Sequence, residues 1–116
     1  MSELVKNVLL VVTADPRVSG RAAEAIRIAA GIGGWEKVAV KLCLCGEARR
    51  VLAETTDDLI NGDVCESYLP LLLESEKKVH VLTVEDESGV LFPNVTMVTV
   101  SQLAAMGRES DSVLRF

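Results

Sequence analysis

Residues 7–14 read NVLLVVTA, and the apolar run Val8–Val12 inside them is unbroken. Side chains along a strand point alternately to opposite faces, so such a run needs apolar cover on both sides. A sheet with one wet face would show alternation instead. The run therefore predicts a central strand with a layer above it and a layer below. Apolar residues are 49% of the 116 positions, but aromatic residues are only 3%. The core must be built of Val, Leu, Ile and Ala, the composition of a parallel sheet held between helices.

The rest of the chain alternates in period. "DPRVSG" carries Pro and Gly and reads as a loop. In "GRAAEAIRIAAGIGGW", Ala22, Ala25, Ile26, Ala29 and Ala30 recur at helical spacing, with Ser19 as the expected cap and Gly31, Gly33 and Gly34 as the stop. Lys37–Cys45 reads as a second strand. "GEARRVLAE" begins a short helix with Ala48, Val51 and Leu52 inward, and "TTDDLINGD" a turn containing Asn61-Gly62. "VCESYLPLLLESEK" is a helical piece kinked or divided at Pro70. Lys78–Val84 and Asn94–Val100 read as strands, followed by a helix capped at Ser101 and a last strand in "SVLRF". This order predicts one domain over residues 1–116, a three-layer α/β/α sandwich with a mainly parallel five-stranded sheet and right-handed crossovers.

Charge and length remove several classes of function. The net charge is −5 and no basic block exceeds two residues, which argues against direct nucleic-acid binding. The apolar runs are too short to span a bilayer. "MSELVKN" does not read as a signal peptide, and three cysteines without framework spacing suit a reducing cytoplasm. A single histidine, His80, excludes a His-rich metal site; no metal and no cofactor is expected.

In a parallel sandwich, ligands sit beyond the carboxyl ends of the strands. That surface is expected from Thr13–Gly20, Cys45–Glu47, Thr83–Gly89 and Ser101. Ser19, Gly20 and Arg21 at a helix start form a candidate anion site, with Thr13, Asp15, Gly46 and Thr83 around it; a capped helix with an exposed arginine is the plainer reading. Cys43 and Cys45 fall on one strand face, placed badly for a disulfide with each other. Cys43 reads as core. Cys45 reaches the strand end before a helix start, where backbone N–H groups, the helix dipole and an inward Arg49 or Arg50 would favour a thiolate. Cys65 opens a helix, where greater exposure is the alternative to plain packing. Simple packing is the competing account of both Cys45 and Cys65. His80 reads as packed or at a subunit contact, and "EDESG" as a solvated loop. "GVLFP" puts apolar residues in a loop that a subunit interface would cover. Trp35 reads as a cap on the core.

Val98 to Phe116 carry a further pattern: a small polar cap, a short helix with "LAAM", Asp111, and a terminal strand ending in Phe116. With the Thr-ended first strand, the Ala-rich "AAEAIRIAAGI" and the Gly-started "CGEARRVL", this resembles the DsrE/DsrF/TusD-like family over nearly the whole chain. The resemblance implies a five-stranded α/β/α subunit that assembles into homo-oligomers (trimers or hexamers) or hetero-oligomers with related subunits. It also implies a sulfur-metabolism context, with a sulfur-carrier protein as a partner. In relatives that carry sulfur as a persulfide, the cysteine lies at the end of the third strand. Thr83 stands there in this chain, and a hydroxyl cannot carry a persulfide. Two classes remain: a non-catalytic subunit or small-ligand binder, and a persulfide relay using Cys45 or Cys65. No triad, paired acid and base, or metal set supports a conventional hydrolase or oxidoreductase.

Overall fold

A computed structural model describes residues 6–32, 38–52, 58–74, 79–82 and 95–116. Nine elements follow in the order β1 (Lys6–Val12), α1 (Arg21–Ile32), β2 (Val38–Leu44), η1 (Gly46–Leu52), α2 (Gly62–Leu73), β3 (Val79–Leu82), β4 (Val95–Val98), α3 (Val100–Glu109) and β5 (Ser112–Arg115). The strands form one five-stranded sheet in the order β4-β3-β2-β1-β5. Every pairing is parallel, with Val8 beside Val40 and Ser112, and Cys43 beside His80. The α/β sandwich expected from the sequence is the observed architecture.

Strand order dictates which face each helix covers. The chain steps from β1 to β2 to β3 in one direction, so right-handed crossovers put α1 and α2 on the same face. It then returns from β4 past three strands to β5, and the same handedness puts α3 on the other face. Packing agrees. Leu10, Val12, Val40, Leu42, Leu44, Val79 and Val81 form the larger core with α1, η1 and α2. Leu9, Cys43, Cys45 and Val98 form a smaller one, with Leu103 and Met106 of α3 against it. The unbroken apolar run thus has the two covers it requires.

The local chemistry of each element is visible. α1 buries Ala22, Ala23, Ala25, Ile26 and Ala29; four of the five are alanines, which lets its backbone lie close to the sheet. Asn61 takes a left-handed conformation (φ 59°) before α2, and α2 runs unbroken through Pro70. Ser101 does not cap α3. Thr99 does: its Oγ1 accepts from the Gln102 N–H at 3.2 Å, and Gln102 Oε1 accepts from the Thr99 N–H at 2.8 Å. This reciprocal box ends the strand at Val98, so Val100 belongs to the helix.

Candidate functional site

The carboxyl ends of β1 and β2 hold the candidate surface. Beyond β1 the chain enters a tight turn. The Asp15 carbonyl accepts from the N–H groups of Val18 and Ser19, each at 3.1 Å. Its side chain accepts the Arg17 N–H at 2.9 Å and the Arg17 guanidinium at 2.8 Å. These Arg17 contacts hold the Asp15 carboxyl down at about 2. Arg17 also reaches Glu47 at 3.5 Å, and Glu47 pairs with Arg50. An ionic strip of alternating sign, Asp15–Arg17–Glu47–Arg50, therefore ties the loop after β1 to the start of η1. Arg17 was not among the sequence candidates; the signal for it is the Asp-Pro-Arg spacing, where an Asp side chain bonds the backbone two residues on.

Cys45 sits beside this strip. Its N–H donates to the Val12 carbonyl at 2.9 Å, and its carbonyl accepts from the Ala48 N–H at 3.1 Å. The helix dipole and the arginines expected to favour its thiolate are not what acts on it. The helix that follows is a single seven-residue 3₁₀ segment. Arg50 is turned to Glu47, and Arg49 Nε donates to the Gly46 carbonyl at 3.3 Å. Instead the nearest influence is the Cys43 thiol, two residues back on the same strand face and in the same small core. Thiol-to-thiol hydrogen bonding with Cys43 pulls Cys45 down to about 7, against the opposing pull of burial. Cys43 moves the other way, first because it is the donor and then because it is buried. Cys43 is 0% exposed and Cys45 7%. The three cysteines are free thiols.

The remaining candidates divide by position. Cys65, read as packed with greater exposure as the alternative, is 1% exposed and packs in the larger core. Burial, then the charge of Asp63, pushes its thiol up. The reason is phase: Cys65 falls on the same side of α2 as Leu69 and Leu72. Thr13 is exposed, and both its N–H and its hydroxyl donate to the Phe116 carbonyl, at 2.9 and 3.4 Å. Gly20, not Ser19, holds the N-cap position of α1, its carbonyl accepting the Glu24 N–H at 3.0 Å; the Ser19 Oγ accepts the Arg21 N–H at 3.2 Å in a local turn, so one N–H of the candidate anion site is already engaged. Gly20 lies against Asn61: a Cβ there would be 2.9 Å from its side-chain nitrogen. Gly46 is exposed, with a φ of +58°. His80 is buried beside Cys43. Thr83, "EDESG", "GVLFP" and Trp35 lie outside the described residues. No group of three metal-ligating side chains occurs among the described residues, and no described helix is long and apolar enough to cross a membrane.

The sheet is all-parallel in this order, with α1, η1 and α2 on one face and α3 on the other, an open α/β sandwich. Among solved structures it is similar to the YchN protein of E. coli, at a TM-score of 0.75 and 20% identity, covering 97% of this chain and 100% of that one. At that identity the likeness shows the fold alone. No protein-family model matches the chain, and no curated protein does.

Proposed function

We propose that the chain is a cytoplasmic DsrE-like subunit in sulfur metabolism that binds its ligand or partner non-covalently at the carboxyl edge of β1 and β2. The observation that carries this reading is the burial of all three thiols. A carrier cysteine must be met in line by the sulfur of its donor, which requires an accessible thiolate. The residue standing at the family's carrier position is Thr83, which has no sulfur. What the edge does offer is polar: the Asp15–Arg17–Glu47–Arg50 strip and the exposed Gly46 backbone. The test is exposure to excess low-molecular-weight persulfide, followed by intact-mass analysis of the protein and of its Cys45→Ser and Cys65→Ser variants. No sulfur retained on any of the three is the expected result.

The placement of Cys43 and Cys45 together in the smaller core, where Cys43 lowers the Cys45 thiol, favours a second reading, a relay at Cys45. Its thiolate would attack the outer sulfur of a donor persulfide. The donor's S–S bond breaks, the donor departs as a thiolate, and Cys45 becomes the persulfide. An acceptor thiolate then takes that outer sulfur, and Cys45 leaves as a thiolate stabilised by the Cys43 S–H. Sulfur retained by the wild type and lost in Cys45→Ser would replace the first reading with this one. Cys43→Ala gives an independent measure, because removing the donor raises Cys45 from about 7 toward the ordinary thiol value of about 8.5. Alkylation of Cys45 at neutral pH should then slow roughly tenfold, with its pH midpoint moved upward.

A further inference from the structure

The register of the sheet gathers two of the three cysteines and the single histidine on one face. Cys43 of β2 stands beside His80 of β3, and Cys45 follows two residues along β2. All three therefore point to the side that α3 covers, and all three are buried. α3 lays Met106, with its thioether, on the same small core, together with Leu103. Soft sulfur donors are thus concentrated in one thin layer, walled by Leu9, Val98 and Leu103.

Spacing and softness decide what the two thiols can hold. Strand residues two apart carry Cβ atoms about 6.6 Å apart, twice the strand rise, whereas a disulfide wants about 3.8 Å. The two sulfurs are nonetheless within reach of thiol-to-thiol hydrogen bonding. The pair is too wide for an S–S bond and near enough for a single ion to join its sulfurs. No group of three His, Cys, Asp or Glu side chains suited to a metal occurs among the described residues. Zinc takes four protein ligands, or three and a water, so two thiols serve it badly. Calcium and magnesium take oxygen ligands. Monovalent copper is the ion that thiolates and thioethers select, and its filled d shell accepts two ligands in a line. The entrance is Cys45, which ends β2 beside the exposed Gly46.

We infer that Cys43 and Cys45 together bind one Cu(I) ion as a two-coordinate dithiolate beneath α3. Each thiol gives up its proton as its sulfur–copper bond forms, and the ion leaves the chelator or small thiol that delivered it. Neither copper nor sulfur changes oxidation state. This site stands apart from both readings above, because it needs neither a persulfide donor nor a ligand at the polar strip. The test is anaerobic titration of the reduced protein with the Cu(I) complex of ferrozine, following loss of the complex's colour. The wild type and Cys65→Ala should each take up about one equivalent of copper, and Cys43→Ala and Cys45→Ala none, with far-UV circular dichroism unchanged. If Cys43→Ala proves unfolded, Cys45→Ala, at the end of its strand, decides. Excess Zn(II) should not displace the copper, and X-ray absorption of the loaded protein should show two sulfur neighbours. Failure of the wild type to draw copper from ferrozine would overturn the inference. So would uptake that survives Cys45→Ala, displacement by Zn(II), or nitrogen and oxygen as the neighbours of the bound ion.

Discussion

At Gly46 the backbone turns left-handed, at a φ of +58°, in the step from β2 to η1. Nothing lies within 4 Å of where a Cβ would stand, so the demand for glycine is conformational and not steric. Gly46→Ala should cost about 1–2 kcal/mol in urea unfolding, the usual cost of that region for a residue with a Cβ. Asp15 offers a different residue-level test. Its carboxyl is held at about 2 by Arg17, below the ordinary 3.8. A depressed carboxyl stabilises the fold above its unfolded value and loses that contribution as pH falls through its folded value. Between about pH 4 and pH 2 the melting temperature of the wild type should therefore fall more steeply than that of Asp15→Asn. Because the group is exposed, the difference should shrink in high salt.

Among the elements, α3 depends most on its ends. It buries no residue completely and is held by its capping box and by Leu103 and Met106. Thr99→Ala should cost about 1 kcal/mol, whereas Ser101→Ala, on the exposed first turn, should stay within about 0.5 kcal/mol. Chemical denaturation of the two variants side by side distinguishes the caps. Sequence alone pointed to Ser101, because Asn94–Val100 reads as continuous strand. Only the Thr99–Gln102 spacing marks the true boundary, and it competes with the β-branched pattern around it. Alternation placed Cys43 and Cys45 on one face correctly. It could not show that the Cys43 thiol would pull Cys45 down, because that depends on side-chain rotation within a packed layer. For Cys65 the packed reading holds and the exposed alternative does not, since position near a helix start says nothing about which side of the helix meets the core.

For the whole molecule, the aliphatic composition and the unbroken β1 run were enough to define the sandwich, since few architectures bury a strand on both faces. The sheet order adds what composition could not, an imbalance between the faces. One is closed by α1, η1 and α2; the other carries α3 over a smaller core. The site was less legible. Its strip of charges joins residues from two separate connections, and the segment from Thr83, which the sequence also offered for that surface, lies outside the described residues. The clasp between β1 and β5 has a consequence for how the chain reaches this state. Asn7 bonds Asp111, and Thr13 bonds Phe116, across separations of 104 and 103 residues. Loop closure over so long a span must be paid before those contacts form. During synthesis, then, β1 emerges with one flank bare and stays so until residues 111–116 have left the ribosome. For most of translation its leucine- and valine-rich edge is a surface that a chaperone, or another nascent chain, can occupy first.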